Sequence, residues 1–229
     1  QAVYYFYSYF RFDKENISFS VPTGNFGDVF AGYLAKKMGL PIDKLIVATN
    51  ENDILQRVIN TGNYKPSKVK SSLSPSMDIQ VASNFERLLF YILDNNDKKL
   101  SELMRSLKDK GSFQLEDTMV KKIKEDFCAE KISDQETLKI IREFDQEHNF
   151  IIDPHTATGI GAAKKIQNSS KTIVLATAHP YKFLETVKEA TGKSISSPTQ
   201  LKSLKNKEKF DVIENNISKI KSYIIERAI

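Results

Sequence analysis

The stretch Ile17-Ser18-Phe19-Ser20-Val21-Pro22-Thr23-Gly24-Asn25-Phe26-Gly27-Asp28 decides the fold of this 229-residue chain. Ile17–Val21 is a short, β-branched and aromatic run that ends at Pro22, and it reads as a central strand. The turn behind it carries Gly24 and Gly27. Beyond the turn, Phe30, Ala31, Leu34, Ala35 and Met38 recur at helical spacing as far as Gly39. A strand, a glycine turn and a helix N-terminus in succession let backbone N–H groups point at an anion. There is no Lys after the glycines, as a P-loop requires, and Gly24-x-x-Gly27 is too short for a dinucleotide fingerprint. From these residues alone the anion is a phosphate group rather than a nucleotide chain, and a structural turn accounts for the two glycines equally well.

Upstream, Val3, Phe6, Tyr7 and Phe10 follow i, i+3, i+4, i+7, while Tyr4, Tyr5 and Tyr9 fill other faces, so a largely buried helix is predicted. Downstream, Leu45–Ala48 reads as a second strand and Asn50 as the N-cap of a helix through Ile59. This alternation predicts a parallel sheet covered by helices. The rhythm then changes. From Met77 to about Asn149 the pattern holds helical stripes and no strand: Val81, Phe85, Leu88, Leu89, Ile92 and Leu93; then Met119, Ile123 and Phe127; then a helix over Asp134–Glu147. Asp153-Pro154 opens another helix to about Ile166. A strand over Thr172–Thr177 and a helix over Tyr181–Thr191 follow. Phe210, Ile213, Ile217, Ile220 and Ile224 step along a final amphipathic helix. The expected division is an α/β part over 1–76, a helical insert over 77–149, and a return to the α/β body over 150–229.

Composition narrows the function classes. The chain is 40% hydrophobic and 28% charged, which supports a buried core and excludes a low-complexity or disordered protein. Its one cysteine, Cys128, cannot form an internal disulfide, and no Cys/His cluster offers a zinc site. No apolar run approaches the roughly 20 residues that span a bilayer, and nothing reads as a signal peptide. The expected setting is therefore the reducing cytoplasm, without a membrane. Net charge is +5, and the tail over 191–229 contributes most of it through eight Lys/Arg against four Asp/Glu. Lys202, Lys205, Lys207 and Lys209 are not interleaved with stacking aromatics, so a solvated surface explains them better than a nucleic-acid footprint.

Six motifs occur in order: Val21–Asp28 (VPTGNFGD), Ala48–Leu55 (ATNENDIL), Leu73–Ile79 (LSPSMDI), Ser83–Leu88 (SNFERL), Asp153–Ala157 (DPHTA) and Ala176–Phe183 (ATAHPYKF). Together they resemble the threonine synthase family, in the branch shared by fungi and many bacteria. The resemblance implies a pyridoxal-phosphate (PLP) enzyme of fold type II, the class of tryptophan synthase β, with a parallel sheet and a helical insert. It implies that Gly24, Asn25, Phe26, Gly27 and Asp28 bind the cofactor phosphate, and that the Thr177 hydroxyl meets the pyridine nitrogen. Asn52 is the candidate substrate contact, although capping and ion pairing among Asn52, Asp53 and Arg57 would also explain this helix start. His155 is expected to be a structural first-turn residue, His179 a helix-capping or pocket residue, and His148 a surface residue. Glu86 and Arg87 are expected to form a structural ion pair.

The implied reaction converts O-phosphohomoserine and water into threonine and phosphate. A Schiff-base lysine must hold the cofactor. In the family it sits in an upstream motif resembling PT-x-x-FKD, which this sequence lacks, and Lys182 is not its counterpart. The chain also opens at Gln1 without an initiator Met and matches the family from mid-helix onward. It is therefore expected to be the C-terminal portion of an enzyme that is monomeric when full length, inactive alone, and completed by a missing N-terminal portion. Exposed apolar surface is expected where that portion packs. Two alternatives are a related phospho-lyase releasing 2-oxobutyrate and a non-catalytic interaction domain.

Overall fold

A computed structural model describes residues 1–12, 16–166, 171–199 and 210–228. These form two compact units, 1–195 and 196–229. In the first, α1 (Ala2–Tyr9) leads to β1 (Ile17–Pro22), α2 (Gly27–Lys37), β2 (Ile42–Thr49) and α3 (Ile54–Thr61). Next come β3 (Asn63–Tyr64), a 3-10 turn (Pro75–Met77), α4 (Phe85–Ile92), α5 (Asp97–Lys110), β4 (Phe113–Gln114) and α6 (Asp117–Asp126). The unit closes with β5 (Phe127–Lys131), α7 (Asp134–His148), α8 (Pro154–Ile166), β6 (Lys171–Val174), a second 3-10 turn (Pro180–Phe183) and α9 (Leu184–Thr191).

The main sheet is parallel, in the order β5-β2-β1-β6. β1 is central and buried on both faces, as its run of Ile, Phe and Val demands. In β2 the side chains alternate between two cores. Leu45 and Val47 join a cluster with Tyr5, Val29 and Phe127, while Ile46 and Ala48 join Ile132, Ile140 and Ala157 on the other face. Helix α8 lies close on that second face because it is lined with small residues. A Cβ on Gly159 would come within 2.8 Å of Val174 Cγ1, and the Ser20 hydroxyl donates to the Gly159 carbonyl at 2.6 Å.

Four expectations are corrected. The stretch that reads as purely helical holds two strands: the short β4, antiparallel to β3, and Phe127–Lys131, paired with β2 from Leu45↔Phe127 to Thr49↔Lys131. The short sequence of the latter, Phe127-Cys128-Ala129-Glu130-Lys131, has no strand signal of its own, and pairing with β2 supplies the conformation. Helix α1 forms but is not buried all round. Tyr5 and Tyr9 face the core, whereas Val3, Tyr4, Tyr7 and Phe10 are exposed, Phe10 by 68%. Asn50 does not cap α3, which starts four residues later behind Asp53. Glu86 and Arg87 make no ion pair among the described residues; both line a shallow groove beside Phe90 and Tyr91.

The second unit contains α10 (Ile217–Arg227). The helix expected from Phe210 starts only here, because the Asn216 side chain accepts from the N–H groups of Ser218 and Lys219 and so sets the first turn. None of its side chains is fully buried. Lys202, Lys205, Lys207 and Lys209 lie outside the described residues.

Candidate active site

In parallel sheets, ligands bind beyond the carboxyl ends of the strands, and here the ends of β1, β2 and β6 carry the candidate residues. After Pro22 the chain is anchored by the Thr23 N–H, which donates to the Ala48 carbonyl at 2.9 Å. The Thr23 hydroxyl turns back to the Val21 carbonyl at 2.6 Å. Phe26 then takes a left-handed conformation, φ 68°, and serves as the N-cap residue of α2. An aromatic residue with positive φ is unusual. It is held there by complete burial against the rings of Phe85 and Phe127, with centroids 5.2 and 5.7 Å away.

This geometry leaves a row of donors. Among the described residues, the backbone N–H groups of Gly24, Asn25, Phe26, Gly27 and Asp28 donate to no protein acceptor. They lie in a turn, left-handed at Phe26, that runs into a helix N-terminus, an arrangement that suits a phosphate. Gly24 has a second requirement. A Cβ there would lie 2.8 Å from the Ser76 carbonyl oxygen, so the loop rests directly on the 3-10 turn over Pro75–Met77. At Gly27 the nearest atom to such a Cβ, Asn84 Nδ2, is 3.4 Å away, an ordinary contact.

Asp28 faces Tyr5 rather than the donor row. The Tyr5 hydroxyl donates to the Asp28 carbonyl oxygen at 2.9 Å and approaches its Oδ1 at 3.3 Å. Burial pushes the Asp28 carboxyl above the usual range, and it outweighs the hydrogen bond from Tyr5. Asp28 and Thr177 line one cleft of about 540 Å3, together with Gln1, Tyr4, Ser8 and the run from Ile173 to Ala176. Thr177 itself is exposed. The structure thus brings Asp28, at the end of the loop, and Thr177 into one cleft.

Asn52 is not at that cleft. It is buried, and both ends of its amide are committed: Nδ2 donates to the Lys70 carbonyl at 2.9 Å and to Asp78 Oδ1 at 3.0 Å, while Oδ1 accepts from the Lys70 N–H at 2.9 Å. Asn50 does the same work beside it, reaching Ser72 Oγ at 2.7 Å and Asp78 Oδ1 at 2.8 Å. These two amides pin the loop over 70–78 beneath the end of β2. Asp53 does pair with Arg57, at 2.9 Å, and with Lys131, at 3.2 Å. Burial would raise its carboxyl, but hydrogen bonds from Arg57 and Lys131 hold it below the usual range.

The histidines separate by role. His179 Nδ1 accepts from the Tyr181 N–H at 3.1 Å and caps the second 3-10 turn. His148 is exposed beside Glu147. His155 is buried, between Asp153 at 3.1 Å and the Ser76 N–H at 3.3 Å. The link to Ser76 has no signal in the sequence, because the partners are 79 residues apart.

The family model for the C-terminal part of threonine synthase matches residues 156–224. The chain is 41% identical over 230 residues to the threonine synthase of Pseudomonas aeruginosa, covering 98% of this chain and 49% of that protein. A crystal structure of PLP-bound threonine synthase from Brucella melitensis superposes with a TM-score of 0.90 at 41% identity, over 98% of this chain and 49% of that one. Threonine synthase from yeast superposes with a TM-score of 0.87 at 39% identity, over 99% and 51%. The chain therefore spans about half the length of the relatives it matches.

Proposed function

Because the chain belongs to the threonine synthase family of PLP-dependent, fold type II enzymes, we propose that it supplies the phosphate-binding half of such an active site. The whole enzyme would be a cytoplasmic one that converts O-phosphohomoserine and water into threonine and phosphate. The observation that carries this reading is the row of N–H donors from Gly24 to Asp28, at the N-terminus of α2 and without protein acceptors. When bound, the cofactor would supply the electron sink that the reaction needs. The loop would hold its phosphate by backbone donors, reinforced by the α2 dipole at about 0.3–2 kcal/mol. The Thr177 hydroxyl would be the hydrogen-bond partner of the ring nitrogen. Asn50 and Asn52 would act by positioning the loop over 70–78, not by touching substrate.

The Schiff-base lysine belongs, on this reading, to the half of the relatives that this chain does not match. The exposed face of α1, with Val3, Tyr4, Tyr7 and Phe10, supports a covering partner there. We expect the isolated chain to bind PLP saturably and to release no phosphate from O-phosphohomoserine. Mixing it with the complementary half of the Brucella melitensis relative should restore phosphate release, with threonine as the product by chromatography. Turnover by the isolated chain at an enzyme-like rate would overturn the division of labour. Accumulation of 2-oxobutyrate would assign the phospho-lyase reaction instead. Thr177→Ala should leave stability within about 0.5 kcal/mol, since the side chain is exposed, yet change the absorption spectrum of bound PLP.

A further inference from the structure

We propose that His155 is a positioning residue that sets the glycine loop by holding the Ser76 backbone, whose carbonyl oxygen abuts Gly24. The assignment rests on the reading of that loop as a phosphate cradle, but its contacts stand independently. Asp153, just ahead of α8, accepts from the N–H groups of His155 at 2.9 Å and Thr156 at 3.3 Å, and from the Thr156 hydroxyl. Its carboxylate also faces His155 Nδ1 at 3.1 Å. A carboxylate only accepts, so Nδ1 carries the proton. On the other side of the ring, Nε2 lies 3.3 Å from the Ser76 backbone nitrogen, and an amide N–H only donates, so Nε2 is the bare nitrogen. The two partners together fix one tautomer.

The ring is 2% exposed and packs against Phe183, with centroids 5.0 Å apart, so it has little room to rotate. Ser76 is thereby fixed through both of its flanking peptide units. Its N–H, on the Pro75–Ser76 unit, is tied to His155, and its carbonyl oxygen, on the Ser76–Met77 unit, lies 2.8 Å from where a Cβ on Gly24 would stand. The turn is closed by the Met77 N–H donating to the Ser74 carbonyl at 2.9 Å and the Asp78 N–H to the Pro75 carbonyl at 3.1 Å, so it moves as one piece. Asn50 and Asn52 pin its near side through Asp78, and His155 pins its far side. A shift of the turn relocates the wall on which Gly24 rests, and with it the donor row.

Three variants separate this role from simple packing. His155→Gln can place Oε1 where it accepts from the Ser76 N–H. His155→Asn reaches Asp153 but not Ser76, and His155→Leu reaches neither. Amide exchange read by NMR on this chain should speed roughly fivefold to tenfold at Ser76 in the Asn and Leu variants, the size of one buried hydrogen bond. It should stay near the parent rate in the Gln variant. The Gly24 amide shift and the dissociation constant for PLP should follow the same order. Nitrogen-15 shifts of the parent chain should show His155 protonated at Nδ1. An Nε2-protonated ring, or unchanged Ser76 exchange and Gly24 shift in a folded Asn variant, would overturn the proposal. If the parent chain fails to bind PLP at all, the cradle reading falls, while the tautomer and the exchange rates still decide the role of His155.

Discussion

Gly24 and Gly27 are three residues apart in one turn, yet only Gly24 is required by space. A methyl at Gly24 meets the Ser76 backbone oxygen at 2.8 Å, and backbone cannot yield as a flexible side chain does. Gly24→Ala should cost about 1–3 kcal/mol in denaturant unfolding, the range for overpacking, and weaken PLP binding in parallel. Gly27→Ala meets only an ordinary contact in the first turn of a helix, where Ala is favoured over Gly, so stability should hold or rise by up to about 1 kcal/mol. Asp28 gives a pH-dependent test. Its folded-state pKa is raised by burial, so its contribution is fully present below the unfolded value and is lost as pH rises through the folded one. Asp28→Asn should remove that acid-side gain and flatten the stability profile in the carboxylate range. The sequence displays the glycines equally. Which one is indispensable depends on Ser76, about fifty residues away.

Among the elements, α7 was legible as Asp134–Glu147 and the structure adds what starts it. Ser133 and Glu136 form a capping box at the start of α7: the Ser133 hydroxyl accepts from the Glu136 N–H at 3.3 Å, and Glu136 Oε2 accepts from the Ser133 N–H at 2.8 Å. Burial raises the Glu136 carboxyl, but hydrogen bonds from Lys165 and Ser133 and the Lys165 charge together bring it down to about 2. A lowered value means stability present above the unfolded pKa and lost as pH falls through the folded one. The α7 cap should therefore persist in acid until about pH 2, when observed as exchange protection of the Glu136 amide. Ser133→Ala should cost roughly 1 kcal/mol by denaturant titration. β5 was not legible. Its five residues have neither alternation nor a β-branched run, and they become strand because β2 offers an open edge with matching register.

For the whole molecule, the parallel α/β architecture follows from the alternation of apolar strands and amphipathic helices, and the six motifs place the chain in its family. Those features are local. A strand needs its own run of β-branched residues and a helix its own apolar stripe, so the amino-acid order by itself determined β1, β2, α2 and α8, and it marked the turn between β1 and α2 by its two glycines. Only the tertiary structure decided which face of α1 turns inward. Periodicity marks an apolar stripe but not what covers it, and here Tyr5 and Tyr9 reach the core while Val3, Tyr4, Tyr7 and Phe10 stay exposed. Substituting Tyr4 and Tyr7 by Ser should accordingly leave the chain's unfolding free energy within about 0.5 kcal/mol per site, read by denaturant titration, but weaken assembly with a complementary half in a mixing titration. Tertiary structure also decided that Asn52 serves the loop over 70–78 through Lys70 and Asp78, and that His155 reaches Ser76. The physical reason is the same in each case. These contacts join residues that are distant in sequence, and a polar side chain's role is set by whichever donor or acceptor folding brings within about 3 Å of it.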